Sequence, residues 1–257
     1  MFKIASWNVN SLRVRLPQVL DWIDAHQPDL LGLQETKLTD ENFPVEAIHA
    51  AGYEVAYSGQ KTYNGVAILS KVAATEVVTD LPGLDDPQRR VLAATFGDLR
   101  LLNLYVVNGQ AVGTEKFDYK LRWLEALRAY VEKQAKRYDQ LVLIGDFNIA
   151  PEDRDCHDPK LWRERVLCST PERNALKRIL EHGLRDTFRL FEQEPNTFSW
   201  WDYRAAGFRR NLGLRIDLIL ASKALAGRCT ASYVDQGPRR LEQPSDHAPV
   251  MTEFNIE

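Results

Sequence analysis

Apolar and polar residues along this chain recur with a period of two in some stretches and about 3.6 in others, and the changes of period mark its elements. Phe2–Trp7 alternates as a strand does, and Asn8-Val9-Asn10-Ser11 breaks it. Pro17 is placed to open a helix reaching about His26, with Val19, Leu20, Trp22 and Ile23 on its apolar face. Asp29–Gln34 reads as a second strand ending in Gln34-Glu35-Thr36-Lys37. A short helix over Val45–Ala50 precedes strands at Tyr53–Tyr57, Val66–Ser70, Ala74–Val78, Val91–Phe96 and Arg100–Val106. The longest helix spans Thr114–Lys136, where Phe117, Leu121, Leu124, Leu127 and Val131 recur at three- and four-residue steps. Gln140–Ile144 is a short, bounded apolar run of the kind buried on both faces. A loop rich in charge, Pro and Trp covers Ala150–Thr170, followed by a helix from Pro171 to His182. Phe198–Trp201, Ile216–Ala221, Ala231–Val234 and Val250–Phe254 complete the strands. No linker or low-complexity tract intervenes, so residues 1–257 read as a single domain. Many antiparallel-style strands with a few helices predict an α/β fold of two packed sheets flanked by helices.

Composition narrows the class. The chain has 257 residues, 44% apolar and 27% charged, as in an ordinary soluble globular protein. It holds no apolar run long enough for a membrane span and no signal-like apolar segment near Met1, which predicts a cytoplasmic protein without a membrane partner. Three cysteines (Cys156, Cys168, Cys229), with no C-x-x-C, argue against a disulfide framework or a structural zinc. A net charge of -3 does not fit a passive nucleic-acid coat. Where the charges lie matters more than their sum. Arg13, Arg15, Lys61, Arg89, Arg90, Arg204, Arg209, Arg210, Arg215, Arg239 and Arg240 all fall in loop-like segments, a distribution suited to gripping a phosphate backbone as well as to plain solvated surface.

The chemistry gathers where strands end. Asn8, Glu35, Asp146 with Asn148, and Asp246 with His247 each close or adjoin an apolar run, where α/β folds commonly place their functional groups. Buried carboxylates need a partner or a metal. Glu35 and Asp246 are hard oxygen donors suited to Mg2+, with Mn2+ as a substitute, and Asn8 is a neutral helper. Asp146 has the chemistry of a base for an attacking water. Asn148, Tyr105, Asn108 and His247 can donate to the charge that develops on a phosphate, and Asp217 is a candidate to orient His247. Each piece alone has a plainer reading: Asp-x-Asn after a strand is commonly a turn or helix cap, and Tyr105 in an apolar run is commonly core. The set as a whole points to metal-assisted hydrolysis of phosphate esters.

The same residues resemble the exonuclease III family of abasic-site (AP) endonucleases. The resemblance runs through Trp7-Asn8-Val9-Asn10, Leu33-Gln34-Glu35-Thr36-Lys37, Asn64-Gly65-Val66-Ala67-Ile68-Leu69 and Asn103-Leu104-Tyr105-Val106-Val107-Asn108-Gly109. It continues in Gly145-Asp146-Phe147-Asn148-Ile149-Ala150-Pro151, Phe198-Ser199-Trp200-Trp201-Asp202-Tyr203-Arg204, Gly213-Leu214-Arg215-Ile216-Asp217 and Ser245–Pro249. It implies a four-layer α/β sandwich. It implies Glu35 as principal metal ligand, with Asn8, Asp146, Asn148, Asp246 and His247 around the ion and the scissile phosphate. Asp146 is then the proton acceptor or donor, Tyr105 an active-site phenol, Asn148 the stabiliser of the transition state and Asp217 the orienter of His247. Asn10, Lys37 and Asn108 match positions near metal or phosphate. Trp200, Leu214 and Ile216 match an apolar pocket for an extruded, base-less sugar. The implied partner is double-stranded DNA with abasic sites, nicks or blocked 3′ ends, and nothing demands more than a monomer. Leu167 is bulkier than the small residue many AP endonucleases carry in that region, which suggests a bias toward 3′-end processing.

Three functions stand at this point. One is a DNA-repair nuclease acting as AP endonuclease, 3′–5′ exonuclease or 3′-phosphatase. The second is a hydrolase of lipid or inositol phosphates that shares the Asp-x-Asn and Asp-His pairs. The third is a catalytically dead homologue, which the full acid, amide and imidazole set disfavours.

Overall fold

The computed structural model describes residues 1–256. The chain opens with β1 (Phe2–Asn8), α1 (Leu12–His26) and β2 (Leu30–Gln34), then α2 (Val45–Ala50), β3 (Glu54–Ser58) and β4 (Val66–Ser70). The next stretch is β5 (Thr75–Val78), β6 (Val91–Phe96), β7 (Leu99–Tyr105), α3 (Glu115–Arg137) and β8 (Gln140–Asp146). It continues through α4 (Pro159–Trp162), α5 (Thr170–Leu180), β9 (Leu184–Asp186), β10 (Trp200–Trp201) and β11 (Gly213–Leu214). It closes with β12 (Asp217–Ser222), α6 (Lys223–Ala226), β13 (Cys229–Val234) and β14 (Val250–Phe254).

Two six-stranded mixed sheets result, in the orders β13-β14-β1-β2-β4-β3 and β5-β6-β7-β8-β12-β9. Three apolar clusters fill the spaces between four layers. Leu12, Val19, Trp22, Ile23 and Ile48 bury α1 and α2 on the first sheet. Trp123, Leu124, Leu127, Val131, Leu176 and Ile179 bury α3 and α5 on the second. Between the sheets, Ile4, Leu30, Val66 and Ile68 meet Leu92, Leu101, Val142, Ile144 and Ile219. The alternation within β8 is complete: Leu141 and Leu143 face the helices while Val142 and Ile144 face the other sheet. The expected architecture, two packed mixed sheets flanked by helices in a four-layer α/β sandwich, is the one observed.

One polar bridge through the inter-sheet core sets how the layers stack. Asn103 on β7 donates through Nδ2 to the carbonyls of Leu33 (3.0 Å) and Ala67 (2.8 Å), and its Oδ1 accepts from Gln34 Nε2 at 2.6 Å. A fully buried amide is costly unless paired, so these bonds discriminate against sliding one sheet over the other. Gly32 makes the approach possible: a Cβ there would lie 2.5 Å from Ile144 Cδ1 and 2.8 Å from Asn103 Oδ1. The C-terminal ends of β1, β2, β7 and β8 consequently open at one edge of the sandwich.

The elements depart from the hydrophobic pattern in a few places. Helix α1 begins at Leu12, and Pro17 lies inside it. The Ser11 and Leu12 amides donate to the carbonyls of Glu35 (2.8 Å) and Thr36 (3.0 Å), so the loop after β2 starts the helix one turn before Pro17, whose missing N–H costs a single helical bond. The strand read over Phe198–Trp201 shrinks to Trp200–Trp201, paired with Gly213–Leu214. Ser199 turns inward there, and its hydroxyl accepts from the amides of Ile216 and Asp217 at 3.1 Å. Arg215 is not a loop arginine free to meet phosphate. It is buried and held by Asp155 (2.7 Å) and Asp186 (2.7 Å). Among the described residues no helix is long and apolar enough to cross a membrane.

Candidate active site

Register brings the strand-end residues together. In the first sheet Asn8 of β1 stands beside Gln34 of parallel β2, which places Glu35 just past that edge. In the second, Tyr105 of β7 pairs with Asp146 of β8, and Asp146 with Asp217 of antiparallel β12. Val250 of β14 pairs with Ser6 of antiparallel β1, so the preceding Ser245–Pro249 loop lies over the same edge. Ser245 fixes it there by donating to the Asn8 carbonyl at 2.6 Å, while Trp7 Nε1 donates to the His247 carbonyl at 3.2 Å.

Asn8 joins the two sheets at their mouths. Its Nδ2 donates to Glu35 Oε1 (2.9 Å) and Asp146 Oδ2 (3.0 Å). Donor atoms of Glu35, Asp146 and His247 all lie within 4.8 Å of one another. Asp146 accepts from the Asn148 amide at 2.9 Å and from Asn148 Nδ2 at 3.3 Å. Asn148 Oδ1 in turn accepts from Asn108 Nδ2 at 3.1 Å. On the other flank Lys37 pairs with Glu35 (3.0 Å), and Asn10 donates to Asp246 Oδ1 (2.9 Å). The second Asp246 oxygen accepts from Trp200 Nε1 at 3.0 Å, so Asp246 stands just outside the Glu35–Asp146–His247 trio. Glu35 (φ 52), Asn10 (φ 44), Lys37 (φ 55) and Asn148 (φ 49) all hold left-handed backbone conformations. Non-glycine residues adopt these at a cost, and such strain concentrates where side chains must be aimed.

The electrostatics follow from burial and pairing. His247 is almost fully buried; its Nδ1 bonds Asp217 Oδ2 at 2.9 Å, and its Nε2 lies 3.7 Å from Asp146 Oδ2. Burial alone would lower its pKa, but the carboxylates of Asp217 and Asp146 more than offset that and raise it to about 10. A cationic ring results. Ser199 Oγ donates to Asp217 Oδ2 at 2.6 Å and holds that carboxylate in place. Asp146 is buried, and desolvation pushes it up to about 7 against the pull of the His247 charge. Burial and the charges of Glu35 and Asp146 raise the Tyr105 phenol well above its ordinary value, so it stays protonated and able to donate.

Beside these groups Trp200, Leu214 and Ile216 pack with Leu167, Ala150, Cys156 and Cys168 in one apolar cluster. Leu167 is buried at φ 76, held by its carbonyl accepting from the Ala150 amide at 2.7 Å. The strand-end acids, amides and imidazole read from the sequence thus lie together, with the Trp200–Leu214–Ile216 cluster beside them. Two that were quoted only as parts of motifs, Ser199 and Ser245, turn out to hold Asp217 and the His247 loop. Ser245 stands beside the acid Asp246, too common a pairing to weigh alone, while Ser199, flanked by Phe198 and Trp200, gave no signal.

The chain matches the model of the Endonuclease/Exonuclease/phosphatase family over residues 5–247. It is 39% identical to exodeoxyribonuclease III of Haemophilus influenzae, over 98% of this chain and 99% of that protein. Among solved structures it is similar to the 3′ phosphatase NExo from Neisseria, bound to a product DNA hairpin, with a TM-score of 0.98, 49% identity and full coverage of both chains. An AP endonuclease from Archaeoglobus fulgidus has a TM-score of 0.95 and 39% identity, again with full coverage of both chains. The fold and the site define a phosphoesterase of the two-sheet α/β kind. The chain belongs to the endonuclease/exonuclease/phosphatase family and, within it, to the exonuclease III group.

Proposed function

We propose that this protein is a metal-dependent DNA-repair phosphodiesterase that hydrolyses phosphate esters at abasic sites and at DNA 3′ ends. The observation that carries the reading is the placement of buried Asp146 against Asn8, Asn148 and cationic His247, with the Trp200–Leu214–Ile216 cluster adjoining. The donor set fits a divalent cation. Glu35 and Asp146 are hard oxygens within reach of one another, and a buried carboxylate already strained toward its neutral form gains from a nearby cation. Glu35 would be the principal ligand of Mg2+, or of Mn2+ in its place, with Asn8, Asp146, Asn148, Asp246 and His247 around it. Bound there, the ion would polarise the phosphoryl oxygen and ease departure of the alkoxide.

The remaining chemistry belongs to the side chains. Ionised Asp146 takes a proton from the attacking water as its oxygen bonds to phosphorus and the bond to the leaving oxygen breaks. His247 Nε2 and the Tyr105 hydroxyl donate to the non-bridging oxygens as negative charge grows on them, and Asn148 Nδ2, which at rest donates to the Val106 carbonyl (3.0 Å) and Asp146 (3.3 Å), joins them by giving up the longer bond. Asp217 keeps His247 cationic and aimed. Asn10, Lys37 and Asn108 border the phosphate. Lys37, Arg13 and Lys61 line a cavity of about 560 Å³ next to Glu35, which suits the backbone of duplex DNA carrying an abasic site, a nick or a blocked 3′ end. All of these groups come from one chain, which supports a monomer acting as a single domain.

Three end-labelled duplexes test the reading in the presence of Mg2+: one with an abasic analogue, one with a recessed 3′-hydroxyl and one with a 3′-phosphate at a nick. Cleavage that stops when the metal is chelated is the expected result. Folded protein that cuts none of the three would refute it.

A further inference from the structure

The inter-layer space beneath the site contains an ion pair that none of the roles above uses. Lys120 on α3 and Glu172 in the first turn of α5 are both fully excluded from solvent and bonded to each other. Burying two charges is expensive, and such a pair persists only when every donor and acceptor is matched. Here they are. Lys120 Nζ donates to the carbonyls of Asn148 (2.6 Å) and Asn108 (3.1 Å) as well as to Glu172. Glu172 Oε1 accepts from the Leu167 amide at 2.9 Å, and Oε2 from the Ser169 amide (3.1 Å) and hydroxyl. The Ser169 contacts are an ordinary helix cap. Neither Lys120 nor the Leu167 contact is needed for that cap.

The partners on the two sides differ in kind. On one side stand the backbones of Asn108 and Asn148, whose side-chain amides bond each other and, in the reading above, serve the phosphate. Asn148 sits in a left-handed conformation (φ 49), which asparagine adopts more readily than other side-chain-bearing residues. On the other side stands Leu167, also left-handed (φ 76), whose side chain packs on Leu214 and Ile216. A cation that draws two carbonyls to one point fixes where both asparagines stand. An anion that accepts from the Leu167 amide fixes the pocket wall. The two clamps are one object.

We infer that Lys120 and Glu172 are positioning residues that couple the charge-stabilising asparagines to the wall of the sugar pocket, so that lesion preference and turnover are set together. The kinetic half of this inference rests on the phosphodiesterase reading above, while its structural half does not.

The test uses the full chain as E172Q, which keeps the shape and removes one charge, and as the double variant K120M/E172L, which replaces both charges with apolar groups of similar volume. Hydrogen–deuterium exchange is followed without ligand. Among the described residues the Glu172 carboxylate bonds only Lys120, Leu167 and Ser169, so a coupled clamp requires E172Q to raise exchange at 106–110 and 146–150 as well, by about tenfold, with α1 and β14 unchanged. A rise confined to 163–172 would overturn the coupling. If E172Q does not fold, the double variant is read in the same segments, and exchange there at the wild-type rate overturns the coupling equally.

The kinetic arm compares kcat and KM on the abasic and the 3′-phosphate duplexes. The expected result for the double variant is a fall in kcat of at least about tenfold with KM nearly constant, since a misplacement of ~1 Å costs about a hundredfold. The ratio of the two activities should shift by about threefold or more. Wild-type kcat and an unchanged ratio in a folded variant would overturn the inference. Wild-type protein that cuts neither duplex would sink the phosphodiesterase reading alone, and the exchange data would still decide the clamp.

Discussion

Asp217→Asn isolates the charge on His247 from its position. The asparagine is isosteric, can still accept from His247 Nδ1 through Oδ1, and can still meet the Ser199 hydroxyl, which now bonds Asp217 at 2.6 Å. What disappears is a negative charge against the ring, with Nδ1 and Oδ2 separated by 2.9 Å. At a charge-centre separation of roughly 4 Å and an effective dielectric of about 20, that attraction amounts to about 4 kcal/mol. Each pKa unit corresponds to about 1.4 kcal/mol, so the His247 pKa should fall by about 3 units. Starting from about 10 in the wild type, it would land near neutrality.

The sign matters for activity. In the wild type His247 remains cationic across neutral pH and donates through Nε2, and a divalent cation beside Asp146 favours that carboxylate's ionised form over the same range. The wild-type profile should therefore stay flat from neutrality up to about pH 9. In the variant the ring loses its proton through neutrality, so kcat falls as the pH rises past about 7 while the wild-type profile does not. At about pH 8.5 the loss of one charge-stabilising donor should cost about a hundredfold in kcat. The assay is kcat against pH on the 3′-phosphate nick, with the His247 ring protons followed by NMR in parallel. A variant whose profile parallels the wild type, merely scaled down, would refute the assignment of Asp217 as the group that keeps the ring charged.

Other perturbations test separate parts of the site. Asp146→Asn should lower turnover by about a thousandfold or more, with duplex binding in a gel shift at fixed salt largely kept; a substantial residual rate would mean that another group activates the water. Glu35→Gln should raise the half-activating Mg2+ concentration by about tenfold or more, read from the metal dependence of the rate, given that even changes behind metal ligands carry such costs. Leu167→Ser, which trims the residue packed on Leu214 and Ile216, should raise abasic-site incision relative to 3′-phosphate release, and an unchanged ratio removes Leu167 from lesion choice. Gly145→Ala should destabilise the fold by about 3 kcal/mol in urea denaturation, because a Cβ at φ 142 would lie 1.9 Å from the Leu104 carbonyl oxygen.

Much of this protein could be read before its fold was known. Strand and helix periods are properties of neighbouring residues, so β4, α2 and the long α3 follow from local pattern, the last to within a residue at each end. The acids, amides and imidazole at strand ends also stood out, not one by one, since Asp-x-Asn alone reads as a turn or cap, but as a set. Pairing residues so far apart in sequence is another matter. That Asn8 would span Glu35 and Asp146, or Asp217 line up with Asp146, depends on strand order and on the Asn103–Gln34 bridge that sets the two sheets in register.

Where the sequence misled, a distant partner was responsible. Pro17 looked like a helix start, yet the carbonyls of Glu35 and Thr36 begin the helix earlier. Arg215 looked like one more loop arginine until Asp155 and Asp186 enclosed it. Lys120 carried no signal at all. A lysine on an amphipathic helix reads as solvated, and only the arrival of Glu172 from another helix makes its burial affordable. The sequence by itself determined the elements and the chemical types available at their ends. Tertiary structure alone decided which charges meet, because a charge can be buried only where its partner already waits.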